Sequence, residues 1–236
     1  MKKIILTLLI SIISIPINYG QDTGITGVST GDLFSGGNVI LRKLMKRDYT
    51  EADGSPYLKD KFVKGKITFE NGKEYDILTR LNVGSQKFEI RKDLNSEVSL
   101  IEINESVTIE MENKKYNLHW INLENKQILA VLEKCIENEK ISLYYFPRKV
   151  IKMPVETGAS APTTGFTKTP KPKWADANEF LILKNNNWYT VPNSFKKLLE
   201  KNIFDQKLLK KYKKSNKLNV KKKESLIDLV SYFNSI

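Results

Sequence analysis

From Phe62 onward apolar and polar residues alternate at period two in short runs: "FVKGKITFE", "KEYDILTRL", "QKFEIRK", "VSLIEI", "VTIEME", "KYNLHWI", "QILAVLE" and "ISLYYFPRKVIKM". In the fifth run Val107, Ile109 and Met111 alternate with Thr108, Glu110 and Glu112, so one face is suited to a core and the other to water. The links between runs are short and carry Asn, Asp, Gly or Ser. Asn71-Gly72 between the first two runs is a hairpin signal, since both residues tolerate positive φ. The pattern predicts an antiparallel β-meander of about eight strands over 62–153, curved into a barrel or folded as a sandwich.

After Met153 the texture changes. Residues 154–177 carry Pro154, Pro162, Pro170 and Pro172 among Thr, Gly and Ala, which predicts a Pro/Thr-rich linker or surface loop. "NEFLILKNNNWYTV" then reads as one more hairpin, turning at Asn185 to Asn187. The tail takes a helical period. Phe195, Leu198 and Leu199 form a first stripe capped by Asn193 or Ser194; Leu208, Leu209 and Tyr212 form a second behind Asp205; Leu226, Ile227, Leu229, Val230 and Phe233 form a third, with Glu224 in its first turn. The fold class expected is α+β, mainly β, with residues 178–236 forming a hairpin plus C-terminal helices.

The N-terminus follows another logic. Lys2 and Lys3 precede an apolar run from Ile4 to Ile15 that ends at Pro16, followed by Asn18-Tyr19-Gly20, the layout of a signal peptide over residues 1–20. The run is shorter than the roughly 20 residues a membrane-crossing helix needs. Residues 21–61 begin with "QDTGITGVSTGDLFSGG" and are expected to be a flexible arm leading into the first strand. Export raises the possibility of an outer-membrane barrel, but such strands need about ten residues each with an apolar outer band. These runs are shorter and end in a helical tail.

Charge is concentrated at one end. The formal net charge is +12, and between Lys196 and Lys223 twelve lysines stand against Glu200 and Asp205. Once Lys2 and Lys3 leave with the signal, the chain carries about +10, nearly all of it in this segment, and the rest is close to neutral. Lys207, Lys210, Lys211, Lys213, Lys214, Lys217, Lys221, Lys222 and Lys223 are the candidate residues for binding an anionic surface, such as lipopolysaccharide phosphates or lipid headgroups. The competing reading is the solvated face of packed helices. Nucleic acid fits less well, because the cluster has no arginine and only Tyr212 at its centre to stack on a base.

Candidates for catalysis are sparse. Cys135 is the only cysteine, so no intramolecular disulfide can form, and its apolar setting "ILAVLEKCIENE" suits a small core residue. His119 is the only histidine, which excludes a multi-histidine metal site. A Cys135–His119 dyad would need the two within hydrogen-bond reach. Asp48, Glu51, Asp53 and Asp60 offer oxygen ligands, yet Thr50 and Ala52 break the EF-hand spacing. Glu110 and Glu112 read as the wet side of one strand. There is no P-loop, no Gly-x-Gly-x-x-Gly and no Gly-x-Ser-x-Gly. No catalytic, metal or cofactor residue is assigned, and no cofactor is expected.

Several phrases together resemble a family of uncharacterised secreted proteins of Bacteroidota: "GSPYLKDKFVKGKITFENGKEYD", then "RLN" with "QKFEI", the Pro-rich insertion before "EFLILKNNNWYTV", and the ending "LIDLVSYFN". The similarity spans most of the chain after residue 20, with Leu81 where that family's pattern has Tyr. The resemblance implies a signal peptide, a β-rich body, a basic helical C-terminus and a location in a Gram-negative envelope, periplasmic or outer-membrane associated. It brings no activity to carry over. The expectation is an exported, non-enzymatic binding or scaffolding protein whose partner is an unknown envelope protein or an anionic envelope surface. An enzyme of unrecognised type is the alternative.

Overall fold

Period two does become sheet. A computed structural model describes residues 40–43, 52–102, 105–123, 126–154 and 171–236. The segments read as signal peptide and glycine-rich arm, together with Asp48, Glu51 and most of the Pro/Thr-rich stretch, lie outside the described residues. The strands are β1 (Ile40–Lys43), β2 (Val63–Thr68), β3 (Glu74–Asn82), β4 (Lys87–Arg91), β5 (Ser99–Glu102), β6 (Thr108–Met111), β7 (Lys114–Leu123), β8 (Lys126–Ile136), β9 (Ile141–Phe146), β10 (Lys149–Lys152), β11 (Lys173–Asp176), β12 (Glu179–Lys184) and β13 (Asn187–Thr190). Helices α1 (Phe195–Glu200), α2 (Gln206–Ser215) and α3 (Lys223–Asn234) close the chain.

The protein is mainly antiparallel β, its large sheet curled like half a barrel, with the helices at the C-terminal end. Eleven strands run in the order β1-β5-β4-β3-β2-β6-β7-β8-β9-β12-β13, and β10 pairs separately with β11. The sheet is therefore a meander with three departures: β1 lies beside β5, β6 lies beside β2, and β12 follows β9 because β10 and β11 pair apart. Strands β2 to β5 run outward in one direction, and the chain then returns to place β6 on the other side of β2. Pro147 lies between β9 and β10, so the long run "ISLYYFPRKVIKM" becomes two strands in two sheets. Strand β1 lies within the segment read as an arm, and β11 within the stretch read as a linker.

Turn chemistry sets the registers. At Asn71-Gly72 only Gly72 takes positive φ (78°), while the Asn71 side chain accepts from the amide of Lys73. Glu112 and Asn113 both take positive φ between β6 and β7, as do Asn185 and Asn186 between β12 and β13, the backbone of two-residue hairpin turns. Glu112 thus sits in a turn rather than on a strand, and its carboxylate pairs with Lys59. The expectation that Glu110 and Glu112 share a strand face fails because β6 ends at Met111.

Strand β7 distributes the core to both faces of the sheet. Tyr116 and Leu118 lie opposite Glu133 and Val131 on one face, while His119 and Ile121 lie opposite Ala130 and Ile128 on the other. The first face continues into a core of Ile67, Leu81, Phe88, Ile101, Ile109 and Tyr116. The second holds Ile121, Ala130, Leu132, Tyr144, Phe146 and Leu181. The strip from β7 to β13 curls until Trp188 on the edge strand meets His119 on β7, ring centroids 5.6 Å apart.

The helices seal the first face of β9 and β12. Leu198, Leu209, Tyr212, Leu226, Leu229, Val230 and Phe233 pack with Ile141, Leu143 and Ile182. Each large apolar side chain so buried contributes about 1.5–3 kcal/mol. Ser194 caps α1 by accepting from the amide of Lys197, and Asp205 caps α2 by accepting from Leu208 at 2.8 Å. Among the described residues no helix is long and apolar enough to cross a membrane.

Candidate functional site

The apolar stripes of the helices point inward, so their lysines point out. Lys207, Lys210, Lys211, Lys213 and Lys214 on α2, and Lys217 just after it, are all exposed. Lys213 and Lys214 occupy the last turn of α2, where cations suit the helix dipole, and the Lys213 ammonium also lies 4.0 Å from the centre of the Phe195 ring. None of Lys207, Lys210, Lys211, Lys214 and Lys217 forms an ion pair with a described residue.

The remaining three candidates behave differently. Lys221, Lys222 and Lys223 lead into α3 and line an open cleft of about 630 Å³ between the helical cap and the sheet, shared with Lys114, Glu133, Tyr145, Asn178, Phe180 and Glu224. One of its lining residues, Glu133, is only 2% exposed. A carboxylate taken this far out of water needs paired cations and hydrogen bonds. Lys114 from β7 supplies one at 3.4 Å, and Lys223 from the first turn of α3 supplies the other in direct hydrogen-bond contact. Burial works against the Lys223 charge and is the largest single influence, but the hydrogen bond to Glu133 and the charges of Cys135, Glu133 and Glu224 together outweigh it and raise the ammonium above its ordinary range.

The surroundings of Glu133 are correspondingly dry. Burial first, and the Glu133 charge second, raise the hydroxyls of Tyr116 and Tyr145 above the usual tyrosine value. Tyr116 is fully buried, and its hydroxyl has no hydrogen-bond partner among the described residues. Tyr145 and Phe180 form one wall, ring centroids 5.1 Å apart. Asn178 accepts from the amide of Arg148 at 2.9 Å, which leaves its own NH₂ free to donate.

Cys135 and His119 are not brought together. Cys135 packs against the core under the helices, and burial pushes its thiol up to about 11. His119 stacks edge-on to Tyr144 and Trp188 on the other face. Burial lowers its basicity, and its Nε2 has no described partner. Among the described residues neither is within hydrogen-bond reach of the other, as a nucleophile and its base would be. Asp53 is tied by backbone bonds to Pro172 and Trp174, and Asp60 accepts from the Ser55 hydroxyl. Among the described residues no group of three or more metal-ligating side chains forms.

Sequence reasoning found the lysines and missed the residues they surround. The signal was present: period two places Glu133 on the same face as Val131, inside an apolar run. No protein-family model, curated protein or solved structure matches the chain.

Proposed function

We propose that this is an exported protein of a Gram-negative cell envelope with a non-enzymatic binding or scaffolding role. Its contact surface is the cationic outer layer of the helical cap, and its partner is an anionic surface of phosphate or carboxylate groups. The observation that carries this reading is the set of exposed lysines at 207, 210, 211, 214 and 217, which lie on one layer with no described carboxylate to neutralise them. Dipole compensation accounts for Lys214 but for none of the others. Each lysine near such a surface contributes about 1 kcal/mol, so binding should be strong in sum and sensitive to salt. The separation of Cys135 from His119 supports binding over catalysis, and the N-terminal pattern supports export.

The test is co-sedimentation of the full chain with vesicles of phosphatidylglycerol or of phosphatidylcholine at low and high salt. Retention on the anionic vesicles alone, lost at high salt, is expected. Equal or salt-independent retention on both would refute the reading. Cell fractionation with N-terminal sequencing of the recovered protein tests export.

A further inference from the structure

We infer that the cleft between β8, β12 and the start of α3 is a binding site for an acidic saccharide unit, a sugar bearing a phosphate or carboxylate. Its volume of about 630 Å³ lies within the range of small-molecule sites and exceeds what one inorganic anion fills. Four lysines and two glutamates line it, and the glutamates are placed unequally. Glu133 at the back is already engaged by Lys114 and Lys223. Lys221 and Lys222 at the rim are exposed and have no described ion pair. The free positive charge is therefore at the mouth, where the acid group of a ligand would dock.

The rest of the lining suits the body of a sugar. Tyr145 and Phe180, both half-buried, present an apolar aromatic wall for the C–H face of a pyranose. The free NH₂ of Asn178 and the Tyr145 hydroxyl donate, and the exposed carboxylate of Glu224 accepts from hydroxyl groups. A dense polyanion fits less well than a single acid group, because Lys221 and Lys222 are the cleft lysines left without a described ion pair and Glu224 lies beside them. A neutral sugar leaves Lys221 and Lys222 unused.

This site deepens the anionic-surface reading but stands on different residues, so the two can fail separately. Calorimetry of the full chain with glucose 1-phosphate, glucose, inorganic phosphate and adenosine monophosphate is the test. Binding of glucose 1-phosphate above the other three is expected. The Lys221→Ala/Lys222→Ala variant should bind it about tenfold more weakly per lysine lost, with an unchanged melting temperature. A four-site variant, Lys207→Gln, Lys210→Gln, Lys211→Gln and Lys214→Gln, should keep this affinity while losing phosphatidylglycerol vesicles. No heat with glucose 1-phosphate, equal affinity for phosphate, tighter binding of the nucleotide, or an unaffected double variant would each overturn the assignment. Release of the four-site variant from monophosphoryl lipid A vesicles by glucose 1-phosphate would identify a lipid headgroup as the source. Binding of soluble glucose 1-phosphate without such release would identify a free sugar acid.

Discussion

Lys223 in the first turn of α3 and Glu133 on β8, ninety positions apart in sequence, form a hydrogen-bonded ion pair that fastens the helical cap to the sheet. The carboxylate is almost fully buried, and the ammonium is 30% exposed. Removing one partner should therefore cost more than the pair itself contributes. A double-mutant cycle with Glu133→Gln and Lys223→Ala, read by urea unfolding, should give a coupling of about 1–3 kcal/mol. A coupling near zero would mean that Lys114 alone satisfies the carboxylate.

The same dry neighbourhood governs behaviour at alkaline pH. Burial raises the Cys135 thiol to about 11 from an ordinary value of 9.0. Tyr116 and Lys223 are also raised above their ordinary 10.0 and 10.5. A group raised in the folded state contributes stability below its unfolded value and loses it as pH climbs through the folded one. Unfolding free energy should hold to about pH 9 and then fall, the thiol acting first. Iodoacetamide alkylation of native Cys135 checks this directly, with its rate midpoint expected near pH 11. A midpoint at 9 or below would contradict the burial of this residue.

At the acid side the relevant group is His119. Burial lowers it, with Tyr144 and Trp188 packed against the ring and the charges of Glu105, Lys134 and Glu137 acting from a distance. A histidine lowered in the folded state contributes stability above 6.5 and loses it as pH falls through its folded value. Stability should decline below pH 6.5, and His119→Phe should flatten that decline. Unfolding curves of both proteins between pH 4.5 and about 7.5 measure it. An identical slope in the variant would assign the decline to other groups.

Two further positions, one acting through its side chain and one through its lack of a side chain, are expected to be intolerant. Gln86 donates to the carbonyls of Val83 and Pro147 and accepts from the amide of Val131, so it ties the β3–β4 turn to β8 and to the end of β9. Gln86→Ala should cost about 1–3 kcal/mol, since it strands buried polar groups. At Gly65 on β2 an added Cβ would stand 2.6 Å from the Glu110 carbonyl oxygen and 2.8 Å from Thr79. Gly65→Ala should cost a similar amount through overpacking. Thermal melting of both variants against the exposed control Lys64→Ala decides the point.

Legibility in the sequence followed the range of the interaction. Alternation in "VTIEME" and the stripe Leu226, Leu229, Val230, Phe233 are local patterns, and strand and helix formed where they pointed. The return of β6 to the far side of β2, and the pairing of β10 with β11, depend on which distant edges meet, and no local period encodes that. The phrases "RLN" and "QKFEI" stand close together in the sequence, but the contact between them is not legible there. They are partners: Arg80 grips buried Glu89 through two nitrogens at 2.9 and 2.7 Å, and Tyr57 donates to the same carboxylate. At the cleft, Lys221 to Lys223 were visible as charge. Their convergence with Lys114, Asn178 and Glu133 is a tertiary fact.

The most direct measurement is lysine footprinting by acetylation and mass spectrometry, on the full chain with and without phosphatidylglycerol vesicles. Lys207, Lys210, Lys211, Lys214 and Lys217 should lose reactivity on the vesicles, while Lys64 and Lys73, exposed on the sheet and its hairpin, should keep theirs. Protection of Lys64 and Lys73 instead, or of no lysine at all, would contradict the assignment of the helical cap as the binding face.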